Sequence, residues 1–119
     1  MLLMIDLDSI LTKSGVNSGE LIELLEAREK GKIDFLLVDV REEFEYRDTH
    51  IKGVDMLKPT SSFQAWAADF LEEHKEKDVI FTCRTDNRSG QVAAIFRENG
   101  LNGINHLGGI VTYRGDIVR

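Results

Sequence analysis

The chain has one cysteine, Cys83, among its 119 residues. An internal disulfide is therefore excluded, as is any metal site built from several thiolates. The three histidines (His50, His74 and His106) are too scattered to supply a ligand set instead, so no metal is expected. Proline also occurs once, at Pro59, and there is no linker, internal repeat or low-complexity segment. Apolar runs are short, and none approaches the roughly 18 residues of a membrane span. The N-terminal run Met1-Leu2-Leu3-Met4-Ile5 is followed at once by Asp6 and Asp8. It is too short for a signal-peptide core and has no basic residues before it. Basic residues are outnumbered, 15 Lys and Arg against 21 Asp and Glu, for a net charge of −6. A phosphate-binding surface needs a basic face, so nucleic acid is not an expected partner. The remainder, 42% hydrophobic and 30% charged, has the make-up of one soluble globular domain over residues 1–119, expected in the cytoplasm.

Short apolar runs alternate with amphipathic stretches. Asn17 followed by Glu20 has the spacing of a capped helix start, and Leu21, Ile22, Leu24 and Leu25 then share one face. Gly31 is placed to end that helix in a left-handed conformation. Phe35-Leu36-Leu37-Val38 and Val79-Ile80-Phe81 are continuous apolar runs of strand length, the kind buried on both faces of a parallel sheet. Val54-Asp55-Met56 and Ile104 to Leu107 are weaker strand candidates. Ser61 with Gln64 forms a second capping pair, before an apolar stripe of Phe63, Trp66, Ala67, Phe70 and Leu71. Trp66 on that stripe reads as core. Val92, Ala93, Ile95 and Phe96 line a third helix, stopped by Gly100, and the acidic stretch Glu42-Glu43-Phe44-Glu45 reads as a solvated helix face. The order predicts an α/β fold, a small parallel β-sheet flanked by helices on both faces. In such sheets the working site lies beyond the carboxyl ends of the strands, which brings Asp39-Val40-Arg41 near Cys83.

Most lone cysteines are buried and inert. Cys83, however, opens a compact polar loop, Cys83-Arg84-Thr85-Asp86-Asn87-Arg88-Ser89, between a strand and a helix. Loop N–H groups and the positive helix end converge there and favour the thiolate, the reactive form of the side chain. Arg84 and Arg88 act in the same sense. A partly exposed thiol is expected.

Four segments resemble the single-domain rhodanese-like sulfurtransferase family. Leu37-Val38-Asp39-Val40-Arg41 is similar to its aspartate–valine–arginine strand end, and Thr49-His50-Ile51-Lys52-Gly53-Val54 to its histidine-containing segment. Residues 83–89 resemble its active-site loop. His106-Leu107-Gly108-Gly109 followed by Tyr113 resembles its closing leucine–glycine–glycine motif. The resemblance implies that Cys83 accepts a sulfane sulfur from thiosulfate, polysulfide or a protein persulfide, and passes it to a thiol, cyanide or protein acceptor. Covalent transfer of this kind splits one hard step into two easier ones. Loop N–H groups can hold the charged persulfide without a catalytic base, and the resemblance implies no cofactor. It makes residues 84–89 (Arg84, Thr85, Asp86, Asn87, Arg88 and Ser89) the substrate-binding loop, and Asp39, Arg41 and His50 its structural support. Arg88 is divided between binding an anionic donor and bonding loop carbonyls or Asp39.

Family loops often carry glycine where this chain has Asp86. A loop that turns its N–H groups inward needs positive φ there, which aspartate tolerates. Its charge is expected to oppose thiosulfate, a dianion, more than it opposes persulfide chemistry as such. Two other readings compete. One is a persulfide carrier or interaction module without turnover, with a homodimer also compatible with the sequence. The other is a phosphatase or arsenate reductase of the same fold. Phosphatase loops hold one more residue between cysteine and arginine than the four that separate Cys83 from Arg88, and a tighter loop suits a persulfide better than a tetrahedral phosphate.

Overall fold

In a computed structural model, residues 6–119 are described; the N-terminal apolar run Met1–Ile5 lies outside them. Five helices run over Leu7–Ile10 (α1), Ser18–Glu29 (α2), Glu43–Asp48 (α3), Phe63–His74 (α4) and Asn87–Glu98 (α5). Seven strands run over Gly15–Val16 (β1), Leu36–Asp39 (β2), His50–Ile51 (β3), Met56–Leu57 (β4), Asp78–Thr82 (β5), Asn102–His106 (β6) and Ile117–Val118 (β7). Five of them form a sheet in the order β1-β6-β5-β2-β4, every pair parallel. β3 and β7 form a separate antiparallel pair, which the apolar pattern did not announce. Among the described residues no helix is long and apolar enough to cross a membrane.

The central strands bury both faces, as their unbroken apolar runs require. Leu37, Ile80 and Ile104 point into one layer with Leu21 and Leu24 of α2. Val38, Val79 and Phe81, one residue out of phase, point into the other with Trp66 and Phe70 of α4 and Phe96 of α5. The two-residue alternation of a strand thus feeds two cores at once. Trp66 is core, and its ring N–H donates to the Pro59 carbonyl at 2.8 Å.

Asn17 caps α2 reciprocally with Glu20, and Gly31 ends it at φ +74°. The second expected cap does not form. A 3₁₀ turn over Thr60–Ser62 precedes α4, and the Ser61 hydroxyl donates to Glu42 at 2.6 Å instead of to its own helix. The strand near Val54 is displaced to Met56–Leu57. Asp55 is drawn into bonds from Arg28 (2.7 Å) and the Leu37 N–H (2.8 Å). Ile95 is exposed, off the buried face of α5. The last strand of the sheet ends at His106, not Leu107: His106 is fully buried and Leu107 is 46% exposed, because Gly108 turns the chain at φ +83°.

Candidate functional site

β2 and β5 are neighbours in register, Asp39 opposite Thr82, and the Val40 N–H donates to the Thr82 carbonyl at 3.0 Å. This brings Asp39-Val40-Arg41 and the cysteine loop together at the carboxyl end of the sheet. Arg41 grips the buried Asp39 carboxylate through two nitrogens at 2.8–3.1 Å and reaches the part-buried Thr49 carbonyl at 2.7 Å. His50 stacks on Tyr46 with ring centroids 3.8 Å apart, and its Nδ1 is 2.9 Å from the Tyr46 carbonyl. Both are frame. His74 packs its ring against Phe70 and has a buried Nδ1 without a partner.

Cys83 is 1% exposed, not partly exposed as the loop sequence suggested. The thiol packs in the apolar layer that holds Val38, Val40, Phe81 and Val92. The loop backbone also has a cover supplied from downstream: Ile110 and Val111 donate their N–H groups to the carbonyls of Cys83 (2.9 Å) and Arg84 (3.2 Å). Gly109 makes the close approach. A Cβ there would sit 2.6 Å from the Thr85 nitrogen and nearer still to the Arg84 carbonyl, at a backbone φ of +67°. Arg84, Thr85 and Asn87 remain exposed at the loop surface.

Helix α5 begins inside the loop, at Asn87, earlier than its apolar periodicity suggests. Its N-cap, Asp86, has the expected positive φ, +83°. Yet Asp86 makes no capping bond to its own helix. Its carboxylate accepts the Gly108 N–H at 2.7 Å, tying loop to cover. The third N–H of the helix, from Ser89, goes to the Cys83 sulfur at 3.3 Å. The sulfur thus stands where a capping oxygen ordinarily would. The Ser89 hydroxyl lies 3.3 Å from the same sulfur and donates to Asn105 Oδ1 at 2.6 Å.

Arg88 is held by neither Asp39 nor loop carbonyls. Its two terminal nitrogens donate to the two carboxylate oxygens of Glu45, at 2.7 and 2.9 Å. Glu45, read from sequence as solvated, is a site residue whose neighbours Glu43 and Phe44 face water. The Arg88 hydrogen bonds hold its carboxyl down to about 2, against the opposing effect of burial. Glu45 also accepts the Glu42 N–H at 2.9 Å, and no sequence pattern sets it apart from Glu42 and Glu43.

A model of the rhodanese-like domain matches residues 20–116. The chain belongs to the rhodanese-like family. Among curated relatives of this rhodanese-like chain are the tRNA uridine(34) hydroxylase of Escherichia fergusonii, 30% identical over 84 residues, and that of Hamiltonella defensa, 30% identical over 107. The first match covers 67% of this chain and 24% of the relative, the second 86% and 30%. The chain thus spans under a third of the length of either protein. Among solved structures, a rhodanese-related protein from Thermoplasma volcanium superposes with a TM-score of 0.73 at 23% identity, covering 89% of this chain and 98% of that one. A human single-domain sulfurtransferase gives 0.64 at 21%, covering 84% and 94%. The rhodanese-like fold is common to all of them.

Two consequences are measurable. Asp86→Gly removes the tie to Gly108, so it is expected to slow reactions at Cys83 several-fold with any donor, reversing the charge-brake expectation. Asp86→Asn retains an acceptor oxygen without the charge and is expected to keep most of the rate, or to gain with thiosulfate. Parallel kinetics with thiosulfate and polysulfide check this, and an Asp86→Gly protein faster with both would overturn it.

The second concerns acid. Burial pushes His106 down to about 4, from an ordinary 6.5, only partly opposed by Asp86. The unfolded chain therefore binds a proton on this ring between pH 6.5 and 4 that the fold does not. Stability tied to neutral His106 is complete above about 6.5 and is lost as pH falls through that window. Unfolding free energy is expected to drop by about 2 kcal/mol between pH 7.5 and pH 5. Glu45 adds its own loss below about 4.5. Denaturant titrations at the two pH values check this, with His106→Gln showing a clearly smaller drop. An equal drop in that variant would place the proton elsewhere.

Proposed function

We propose that this protein is a sulfurtransferase in which Cys83 carries the sulfur as a persulfide. The observation that carries the reading is the environment of the sulfur, at the head of α5 with the Ser89 N–H donating to it at 3.3 Å. That N–H and the helix start suit a sulfur that bears negative charge while no base stands beside it. In the first half-reaction the Cys83 thiolate attacks the outer sulfur of a donor. With thiosulfate, a new S–S bond forms at Cys83, the donor S–S bond breaks, and sulfite leaves with its electron pair. In the second, a nucleophile such as cyanide or a thiolate attacks the outer sulfur of the persulfide. The S–S bond to Cys83 breaks and the thiolate returns with the electron pair. Donor anions meet Arg84, the exposed cation of the loop, while Arg88 keeps the loop in place through Glu45.

The same pairing disfavours phosphatase chemistry, since both terminal nitrogens of Arg88 already serve a carboxylate rather than a phosphate. The tRNA hydroxylation named for the longer relatives is left with those proteins, because the chain spans under a third of their length and its net charge of −6 opposes RNA phosphates. Acceptors are taken to be small nucleophiles or protein thiols, and neither nucleic acid nor membrane is a partner. Intact-mass spectrometry after incubation with thiosulfate or polysulfide tests the proposal. One added sulfur, removed by cyanide, is expected. Absence of any adduct with both donors would overturn it.

A further inference from the structure

Beneath the loop lies a buried polar chain that the sulfur chemistry does not use. Thr82 Oγ1 is 2.8 Å from His106 Nδ1, and His106 Nε2 is 2.8 Å from Ser18 Oγ. Ser18 Oγ is 2.8 Å from Thr112 Oγ1, and the Thr112 hydroxyl donates to the Gly109 carbonyl at 2.8 Å. Thr82 and His106 are fully buried, and Ser18 nearly so.

Each hydroxyl has one proton, which links the bond directions along the chain. With the Thr112 proton on the Gly109 carbonyl, Thr112 accepts from Ser18. Ser18 then has none left for His106 and must accept from Nε2–H. A neutral ring protonated at Nε2 has a bare Nδ1, which accepts from the Thr82 hydroxyl. The alternative acceptor for that hydroxyl, the Cys83 carbonyl, is 3.5 Å away. The Nε2–H form puts every hydroxyl proton on a 2.8 Å bond; in the Nδ1–H form the chain runs the other way, Thr112 to Ser18 to Nε2, and the Thr82 proton is left with the carbonyl 3.5 Å away.

The two ends of the chain are the two sides of the site. Thr82 is the residue before Cys83. Gly109 is the point where the cover meets the Arg84–Thr85 backbone. We infer that His106, as the neutral Nε2–H tautomer, is a positioning residue that fixes the distance between the Cys83 strand end and its Gly109 cover, and so the geometry in which the sulfur reacts. His106 touches no substrate. It acts through Thr82 on one side and through Ser18 and Thr112 on the other. The inference rests on the sulfur-transfer reading for its readout, but not for its geometry.

Imidazole ¹⁵N NMR on the unaltered protein tests the tautomer directly. A neutral ring protonated at Nε2 is expected from pH 7.5 down to pH 5. An Nδ1–H ring, or one titrating near 6.5, would overturn the inference. Thr82→Val, Thr112→Val and the double variant then test the function of the chain, since these residues meet only through His106 and Ser18. Each single change is expected to slow persulfide formation from thiosulfate or polysulfide about tenfold at saturating donor, with donor KM unchanged. The double variant is expected to be no slower than about the singles, because either change alone breaks the same chain. Unchanged rates, or losses that multiply to about a hundredfold, would overturn it. If the unaltered protein accepts no sulfur from either donor, the sulfur-transfer reading fails by itself. The same four proteins compared by the rate at which iodoacetamide alkylates Cys83 then decide the positioning role, with the same pattern expected.

Discussion

Cys83→Ser is expected to abolish sulfur loading while leaving the fold in place. The hydroxyl takes up no more room than the thiol and can accept the Ser89 N–H that the sulfur accepts at 3.3 Å. It can also share the Ser89 hydroxyl, so no buried donor is left without a partner. What it cannot do is ionise near neutral pH, and only the ionised form attacks a sulfane sulfur. Losing a nucleophile from a site of this kind costs at least about a thousandfold in rate. Intact mass after exposure to thiosulfate and polysulfide gives the first readout, and thermal denaturation gives the second. A serine protein that gains sulfur as readily as the parent would move the chemistry to another group. A serine protein that no longer folds would show that the sulfur carries more of the α5 cap than one hydrogen bond.

The second large effect is expected at a residue with no side chain. Gly109→Ala adds a methyl 2.6 Å from the Thr85 nitrogen, closer still to the Arg84 carbonyl, and does so at φ +67°. No flexible neighbour can give way, because the nearest atoms are backbone. Either the loop moves or the cover lifts. A cover that lifts breaks the bonds from Ile110 and Val111 to the loop and withdraws the carbonyl that Thr112 engages. Misplacement by about 1 Å near reacting atoms costs on the order of a hundredfold, and the strain plus clash is expected to lower stability by about 3 kcal/mol. Persulfide formation and denaturant unfolding measure the two losses. Near-parental loading by the alanine protein would mean that the cover plays no part in shaping the site. Gly108→Ala is the useful comparison: it is also at positive φ, but its new methyl would meet the Thr112 side chain rather than backbone.

The sheet and its helices were legible because they repeat. The β2 and β5 runs are apolar without interruption, and α2 announces itself through Asn17 and Glu20. The stripes on α4 and α5 recur often enough to show a face. Elements of two to four residues, such as β1, β3, β7 and α1, contain only about one period and cannot show a repeat. The loop was legible as a chemical unit, including the positive φ at Asp86. Its partners were not. Glu45 looks like its neighbours Glu43 and Phe44, and only the packing of α3 against the loop separates it from them. The burial of Cys83 depends on side chains of β2, β5 and α5 that only the fold brings together. His106 and Leu107 invert what their residue types suggest: the apolar residue of the pair faces water, and the titratable one faces the core. Nothing local decides between them, because the phase is set by where Gly108 turns the chain.

A helix end normally rests on an oxygen whose charge never changes. In α5 that place is taken by the Cys83 sulfur, whose charge, in the proposed cycle, is consumed and regenerated at every turnover. The first turn of α5 is accordingly an internal gauge of the state of Cys83. A negatively charged sulfur at a helix start adds about 0.3–1 kcal/mol to its hold on the turn; alkylation to a neutral thioether withdraws both charge and acceptor strength. Amide exchange at Ser89 and Gly90 is thus expected to slow in the thiolate form and quicken in the alkylated one. The occupancy of the sulfur becomes readable from the backbone, without following any substrate.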